Sequence, residues 1–199
     1  TDIQSSTLLW QLHSEKMRVA LRAHNDILRA AMIKYNGYEV KTIGDAFMIA
    51  FAEPMDAVNY AMQIQVDLMA QTWEEPFNMA TEVTMTRVAE ESGKAPALSL
   101  WNGLRVRVGV HSGTPLSETD CVTRRTDYFG PMVNLSARVQ GAALGGQTLI
   151  SDEVRNNIAL GKLDIPCSIR PGGTHHLKGI DRAVELHSII PDTLALREE

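Results

Sequence analysis

Met17, Leu21, Leu28 and Met32 recur at helical spacing with Ala20 and Ala31 beside them, which predicts a helix over about 7–35 closed by Gly37. Two short β segments follow, Tyr38 to Ile43 and Ala46 to Phe51. Tyr38, Val40 and Thr42 are expected on one face of the first, and Phe47, Ile49 and Phe51 on one face of the second. Gly44-Asp45 between them has the chemistry of a tight hairpin turn. Pro54 suits the first turn of a second helix, with Ala57, Ala61, Ile64 and Leu68 as its apolar stripe. Leu104, Val106, Val108 and Val110 alternate with Arg105 and Arg107, the pattern of a half-buried strand whose arginines line the outer face. Further along, the pattern predicts a strand over about 122–129 and a helix from Pro131 to about Leu144, stopped by Gly145-Gly146. A short strand from Gln147 to Ile150 comes next, then a helix with an acidic first turn capped by Ser151. Ile165 to Ile169 and Val184 to Ile190 close the chain as a hairpin. The stretch from about 72 to 102, with Pro76, Pro96 and a helical patch only around Val83 to Ala89, fits none of this and reads as a surface insert. The order β-α-β-β-α, insert, β-β-α-β-α-β-β predicts an α+β sandwich with helices against a mostly antiparallel sheet.

Composition narrows the partners. The 199 residues suit a single domain, 1–199, and 44% hydrophobic residues are enough to bury a core at that length. With 19 Lys and Arg against 24 Asp and Glu the net charge is −5, which argues against nucleic acid or an anionic membrane surface. A polyphosphate substrate would have to be neutralised locally, by metals and a few placed cations. Cys121 and Cys167 lack CxxC spacing and read as free thiols of a reducing compartment. No apolar run has membrane-span length, so the piece reads as soluble, and the abrupt start Thr1-Asp2-Ile3 reads as a fragment of a longer protein.

Three segments carry candidate chemistry. In Lys41-Thr42-Ile43-Gly44-Asp45-Ala46-Phe47 a carboxylate stands at a hairpin tip beside a glycine, open to a bulky ligand. On this segment alone, a plain turn dipeptide is the stronger reading. In Thr1-Asp2-Ile3-Gln4-Ser5-Ser6-Thr7, Ser6 or Thr7 is expected to cap the first helix, whose N–H groups form a phosphate cradle beside Asp2. In Asp127 to Arg138, Asn134 and Arg138 lie four apart on one helix face, able to orient a sugar oxygen and neutralise phosphate charge. Taken singly, that pair is more often a solvated helix face.

Together, and in this order, the segments resemble the class III adenylyl and guanylyl cyclase domain. That family carries F-x-D-I-x-x-S/F-T, K/E-x-x-G-D and D-x-x-G-x-x-x-N-x-x-x-R motifs, covering here roughly 1–71 and 103–190. Trp101 to Gly109, Trp-Asn-Gly-Leu-Arg-Val-Arg-Val-Gly, adds a likeness to trypanosomatid receptor-type adenylyl cyclases. The resemblance implies a ferredoxin-like or palm-like βαββαβ sandwich with extra C-terminal strands. It implies adenylyl cyclase activity in cyclic AMP signalling, in a receptor-type protein whose cyclase domain lies on the cytoplasmic face of the membrane. Asp2 and Asp45, with the Ile3 carbonyl, would bind two divalent ions, Mg²⁺ or Mn²⁺. Lys41 and Asp127 would read adenine, where a guanine site has Glu and Cys. Asn134 and Arg138 would serve ribose and phosphate. Ser5, Ser6 and Thr7 and Lys178 would contact the phosphates. ATP would bind between two copies of the chain, making a homodimer the active form.

Two departures stand out. The apolar strand and Phe that open the first motif do not precede Asp2, and Lys178-Gly179-Ile180 keeps one basic residue of K-G-K. One competing reading is a diguanylate-type enzyme, whose G-G-D/E-E-F hairpin is not matched by Ile43 to Phe47. The other is a non-catalytic nucleotide-binding or dimerisation module. His111 reads as strand-end packing, His175-His176 as a surface loop, and Cys121 has no nearby His for thiol catalysis.

Overall fold

A computed structural model of the chain describes residues 1–77 and 101–198; the helical patch expected at Val83 to Ala89 lies outside them. Strand β1 (Asp2–Ile3) leads into helix α1 (Ser6–Lys34), which buries Met17, Ala20, His24, Leu28 and Ala31 along one stripe. The expected cap is not formed. Ser5 is the N-cap, in the left-handed region at φ 57, and its side chain makes no capping hydrogen bond; Ser6 and Thr7 fall inside the helix. At His13 (φ −143, ψ 49) the helix kinks.

Strands β2 (Tyr38–Ile43) and β3 (Ala46–Ala50) form the expected hairpin, with Ile43 opposite Ala46 and Gly44 at φ 64 in the two-residue turn. Their alternation does not run unbroken. Glu39 pairs with Ile49 and Lys41 with Met48, so Val40 is an extra, bulged residue, and Tyr38 and Thr42 do not share a face. Helix α2 (Pro54–Ala70) buries its predicted stripe together with Val58, Tyr60 and Met62. The 72–102 stretch is anchored at both ends: Trp73 and Phe77 are buried, Trp73 Nε1 donates to Leu68 O at 3.0 Å, and Gly103 N donates to Phe77 O at 3.1 Å.

Beyond it come β4 (Val106–Val110), β5 (Leu116–Thr119), β6 (Thr126–Phe129), α3 (Pro131–Ala142), β7 (Thr148–Ser151), α4 (Asp152–Arg155), β8 (Cys167–His175) and β9 (Val184–Pro191). Five strands make the main sheet in the order β1-β4-β7-β9-β8, antiparallel throughout except for the β4–β7 pair. The α+β architecture is the predicted one. The strand expected over 122–129 begins only at Thr126, and it pairs with β5, which the hydropathy pattern does not reveal because all four of its residues are exposed. The Ser151 hydroxyl, expected to cap α4, instead shares a hydrogen bond of 2.8 Å with His111 Nδ1.

Adjacent sheet residues point to opposite faces and so build two cores. Val106, Val108 and Ile150 pack toward α1 and α2, whereas Leu149 and Leu186 pack toward Leu135 and Val139 of α3. Helix α3 lies almost backbone to backbone on β4: a Cβ added at Gly109 would come within 2.1 Å of the Gln140 nitrogen.

Candidate functional site

The two candidate metal carboxylates meet at the backbone of one residue. Asp2 sits opposite Arg107 in the β1–β4 ladder, so both side chains leave the sheet on the same face. Arg107 Nε donates to Asp2 Oδ2 at 2.8 Å and Arg107 Nη2 donates to the same oxygen. Asp45, at the tip of the β2–β3 hairpin, accepts the Ile3 N–H on Oδ2 at 2.9 Å. The hairpin is held there by a further bond from Phe47 N to Thr1 O at 3.2 Å. Asp45 is thereby tied to the Asp2–Ile3 peptide, next to Asp2 and the buried Ile3. Two carboxylates and the intervening carbonyl are hard oxygen donors, a set that fits Mg²⁺ or Mn²⁺. Among the described residues no group of three or more His, Cys, Asp and Glu side chains is placed to hold a metal ion, so the carboxylates here number two. Arg107 is the residue that sequence reasoning missed. It was expected on the sheet's outer face, and only the strand register reveals that it neutralises Asp2.

The candidate base-reading pair is also assembled. Lys41 Nζ donates to Asp127 Oδ2 at 2.6 Å and lies 5.7 Å from the centre of the Phe129 ring. The Lys41 ammonium, then the Tyr128 N–H at 2.8 Å, hold the Asp127 carboxyl below its ordinary pKa. Around them the β5–β6 hairpin is tied to β2. Thr126 N donates to the Tyr38 hydroxyl at 3.0 Å, and Arg125 Nη2 donates to the Glu39 carbonyl.

Asn134 and Arg138 both lie on the exposed side of α3, opposite the buried Leu135 and Val139. A cleft of about 850 Å³ runs between the β2–β3 hairpin and α3. Lys41, Phe47, Tyr128 and Asn134 line it, together with Thr1, Ile43 and Ala46 beside the two aspartates; the side chains of Asp127, Arg138, Asp2 and Asp45 do not. The cleft thus takes in Lys41 of the base-reading pair and Asn134 of α3, and it reaches the backbone that carries the two aspartates. Ser5, Ser6 and Thr7 open α1 next to Asp2 and Ile3, and Lys178 lies on the exposed turn between β8 and β9; none of these four lines the cleft.

His24 is a buried neighbour of this region. Its ring stands edge-on to Phe47 at 5.9 Å, Nδ1 shares a hydrogen bond of 2.9 Å with Asn25 Oδ1, and Nε2 has no hydrogen-bond partner among the described residues. Burial lowers its pKa, opposed by the Asn25 hydrogen bond and the Asp45 charge and aided by Arg29. A histidine whose folded pKa is depressed contributes its stability fully above its unfolded pKa of 6.5, and that stability is lost as pH falls below it. The denaturant midpoint is therefore expected to fall between about pH 7 and about pH 5, and to fall less in His24→Leu. Equal falls in the two proteins would assign the loss to other groups, His111 first, which burial also holds low.

The chain matches the Adenylate and Guanylate cyclase catalytic domain over residues 1–190. It is 44% identical over 153 residues to an adenylate cyclase of Lachancea kluyveri, covering 77% of this chain and 8% of that protein. It is 35% identical over 206 aligned positions to a receptor-type adenylate cyclase of Trypanosoma congolense, covering 95% of this chain and 27% of that one. The chain thus spans less than a third of the length of either relative. Among solved structures, an adenylate cyclase from Trypanosoma brucei in its monomeric state superposes with a TM-score of 0.81 at 33% identity, over 94% of this chain and 84% of that one.

Proposed function

Because the chain belongs to the adenylate and guanylate cyclase catalytic domain family, we propose that it is an adenylyl cyclase, converting ATP to 3′,5′-cyclic AMP and pyrophosphate. The observation that carries the choice of ATP is the 2.6 Å contact of Lys41 with Asp127. That pair supplies a donor for adenine N1 and an acceptor for its amino group, side by side.

Asp2, Asp45 and the Ile3 carbonyl would hold two divalent ions, Mg²⁺ or Mn²⁺. When bound, these supply acidification of the ribose 3′-hydroxyl and screening of charge at the α-phosphate. Asn134 orients the ribose, and Arg138 stabilises the charge that builds on the phosphate as the 3′-oxygen attacks and pyrophosphate leaves. The first-turn N–H groups at Ser5, Ser6 and Thr7, with Lys178, bind the phosphates. With Asp2 engaged on a metal ion, Arg107, its present partner, would become available to the same phosphates.

The active form in this reading is a homodimer, with each site taking its metal carboxylates from one chain and its base and ribose groups from the other; its support is that Lys41 and Asn134 line the cleft whereas the Asp2 and Asp45 side chains do not. The likeness to receptor-type cyclases supports a longer signalling protein carrying residues 1–199 as one catalytic domain at the cytoplasmic face of a membrane, with 72–102 as its insert. Among the described residues no helix is long and apolar enough to cross that membrane.

The test is cyclisation of ATP with Mn²⁺ across a range of protein concentrations. Product formation should rise more steeply than linearly while dimers are scarce. Strictly proportional activity would sink the shared-site reading. The Asp2–Arg107 ion pair favours one alternative, a nucleotide-binding or dimerisation module that does no chemistry. ATP binding with no cyclic AMP at any concentration would establish it.

A further inference from the structure

Lys41 meets Asp127 because of one extra residue. On β3, Phe47 and Ile49 share a face and Met48 takes the other. Glu39 pairs with Ile49 and Thr42 with Phe47, whereas Lys41 pairs with Met48 and Tyr38 with Ala50. Directly paired residues of an antiparallel ladder point the same way, so Glu39 and Thr42 face α1, while Tyr38 and Lys41 face β6. In an unbroken strand Glu39 and Lys41, two apart, would share a face and Lys41 would turn toward α1. The bulge at Val40 separates them.

The bulge is clamped from the α1 side by the Glu39 carboxylate. Arg29 donates to both of its oxygens, Nε to Oε2 and Nη2 to Oε1, each at 2.9 Å. The Thr42 hydroxyl, on the far side of the bulge, donates to Oε1 at 2.7 Å. The Arg29 guanidinium itself stacks 5.1 Å from the centre of the Phe47 ring, which fixes the clamp on the face that Thr42 shares. Hydrogen bonds from Arg29 and Thr42 hold the Glu39 carboxyl ionised down to about pH 2. Residues three apart in an unbroken strand face opposite sides, so the Thr42 hydroxyl reaches the Glu39 carboxylate because the bulge stands between them.

We propose that Glu39 is a positioning residue for base recognition: through Arg29 and Thr42 it holds the bulge at Val40, and the bulge turns Lys41 onto Asp127. Glu39 itself does not line the cleft. The inference rests on the reading of Lys41 and Asp127 as adenine-selective.

The experiment compares ATP with GTP in the parent chain, Glu39→Ala, Glu39→Gln and Thr42→Val. It measures equilibrium binding of fluorescent analogues of the two nucleotides and kcat/KM for each with Mn²⁺. Glu39→Ala should lose about tenfold of the ATP preference, chiefly through a higher KM for ATP. Glu39→Gln, which keeps an acceptor for Thr42, should recover most of it. Thr42→Val should shift the ratio in the same direction by less, and it keeps the test decisive if Glu39→Ala does not fold. Equal losses for both nucleotides, with the ratio unchanged, would reduce Glu39 to a purely structural role while leaving the cyclase reading intact. A parent chain that shows no preference for ATP would overturn the base assignment and this inference together.

Discussion

Asp45→Asn is expected to abolish metal-dependent cyclisation of ATP while leaving the unfolding temperature close to the parent's. The two effects separate because Asp45 has two jobs. Its Oδ2 accepts the Ile3 N–H at 2.9 Å, which pins the hairpin tip to β1. Asn presents an amide oxygen to the same N–H, so that bond and the local packing survive. What Asn lacks is the negative charge that a hard divalent ion requires. Losing a metal ligand removes several kcal/mol of transition-state stabilisation, and each ~1.4 kcal/mol is tenfold in rate, so the fall should be about a thousandfold or more. Mn²⁺ protection against thermal unfolding should disappear in parallel. Full activity in Asp45→Asn would remove Asp45 from the metal site. A large drop in unfolding temperature would mean the hairpin depends on the charge, not the hydrogen bond.

The second large effect is a recovery. Arg138→Ala alone should lower kcat by about a hundredfold to a thousandfold, the usual cost of removing one group that stabilises charge in the transition state. Mixing Arg138→Ala with Asp45→Asn should restore activity. In a heterodimer, the Arg138→Ala chain supplies intact Asp2 and Asp45 and the Asp45→Asn chain supplies intact Arg138, so one of the two sites is whole. Random pairing makes half of the dimers mixed, so the mixture should reach about a quarter of the parent's activity at equal total protein. If mixing restores nothing, each chain must build its site alone, and the shared-site reading is wrong.

The sequence pattern was most informative where one periodicity ran long enough to be counted. The stripes of α1 and α2 and the Gly44-Asp45 turn could be read directly, and the family motifs brought out the aspartates, Lys41, Asp127, Asn134 and Arg138. Three features left no such trace. Strand β5 is exposed at every position, so hydropathy does not distinguish Leu116 to Thr119 from a loop. The Val40 bulge changes which face later residues take without changing any residue type, and it becomes visible only when Glu39 and Thr42 are found on one side. Arg107 sits in a clean alternation that says only which face it takes. Its partner is a residue 105 positions earlier, chosen by the β1–β4 register. The expected cap at Ser6 or Thr7 failed for a local reason, the left-handed backbone at Ser5.

Strand β4 has a consequence of its own. Within its five residues Arg107 engages the metal-side aspartate and Gly109 seats α3, the helix that carries Asn134 and Arg138. A strand this short and this deeply packed behaves as a ruler: it fixes the interval between the two functional faces of a protomer. Stretching it would disturb the core that Val106 and Val108 share with α1 and α2 and lift α3 off Gly109. With the interval set within each chain, the quantity left to adjust in the proposed homodimer would be the angle at which two such rulers meet.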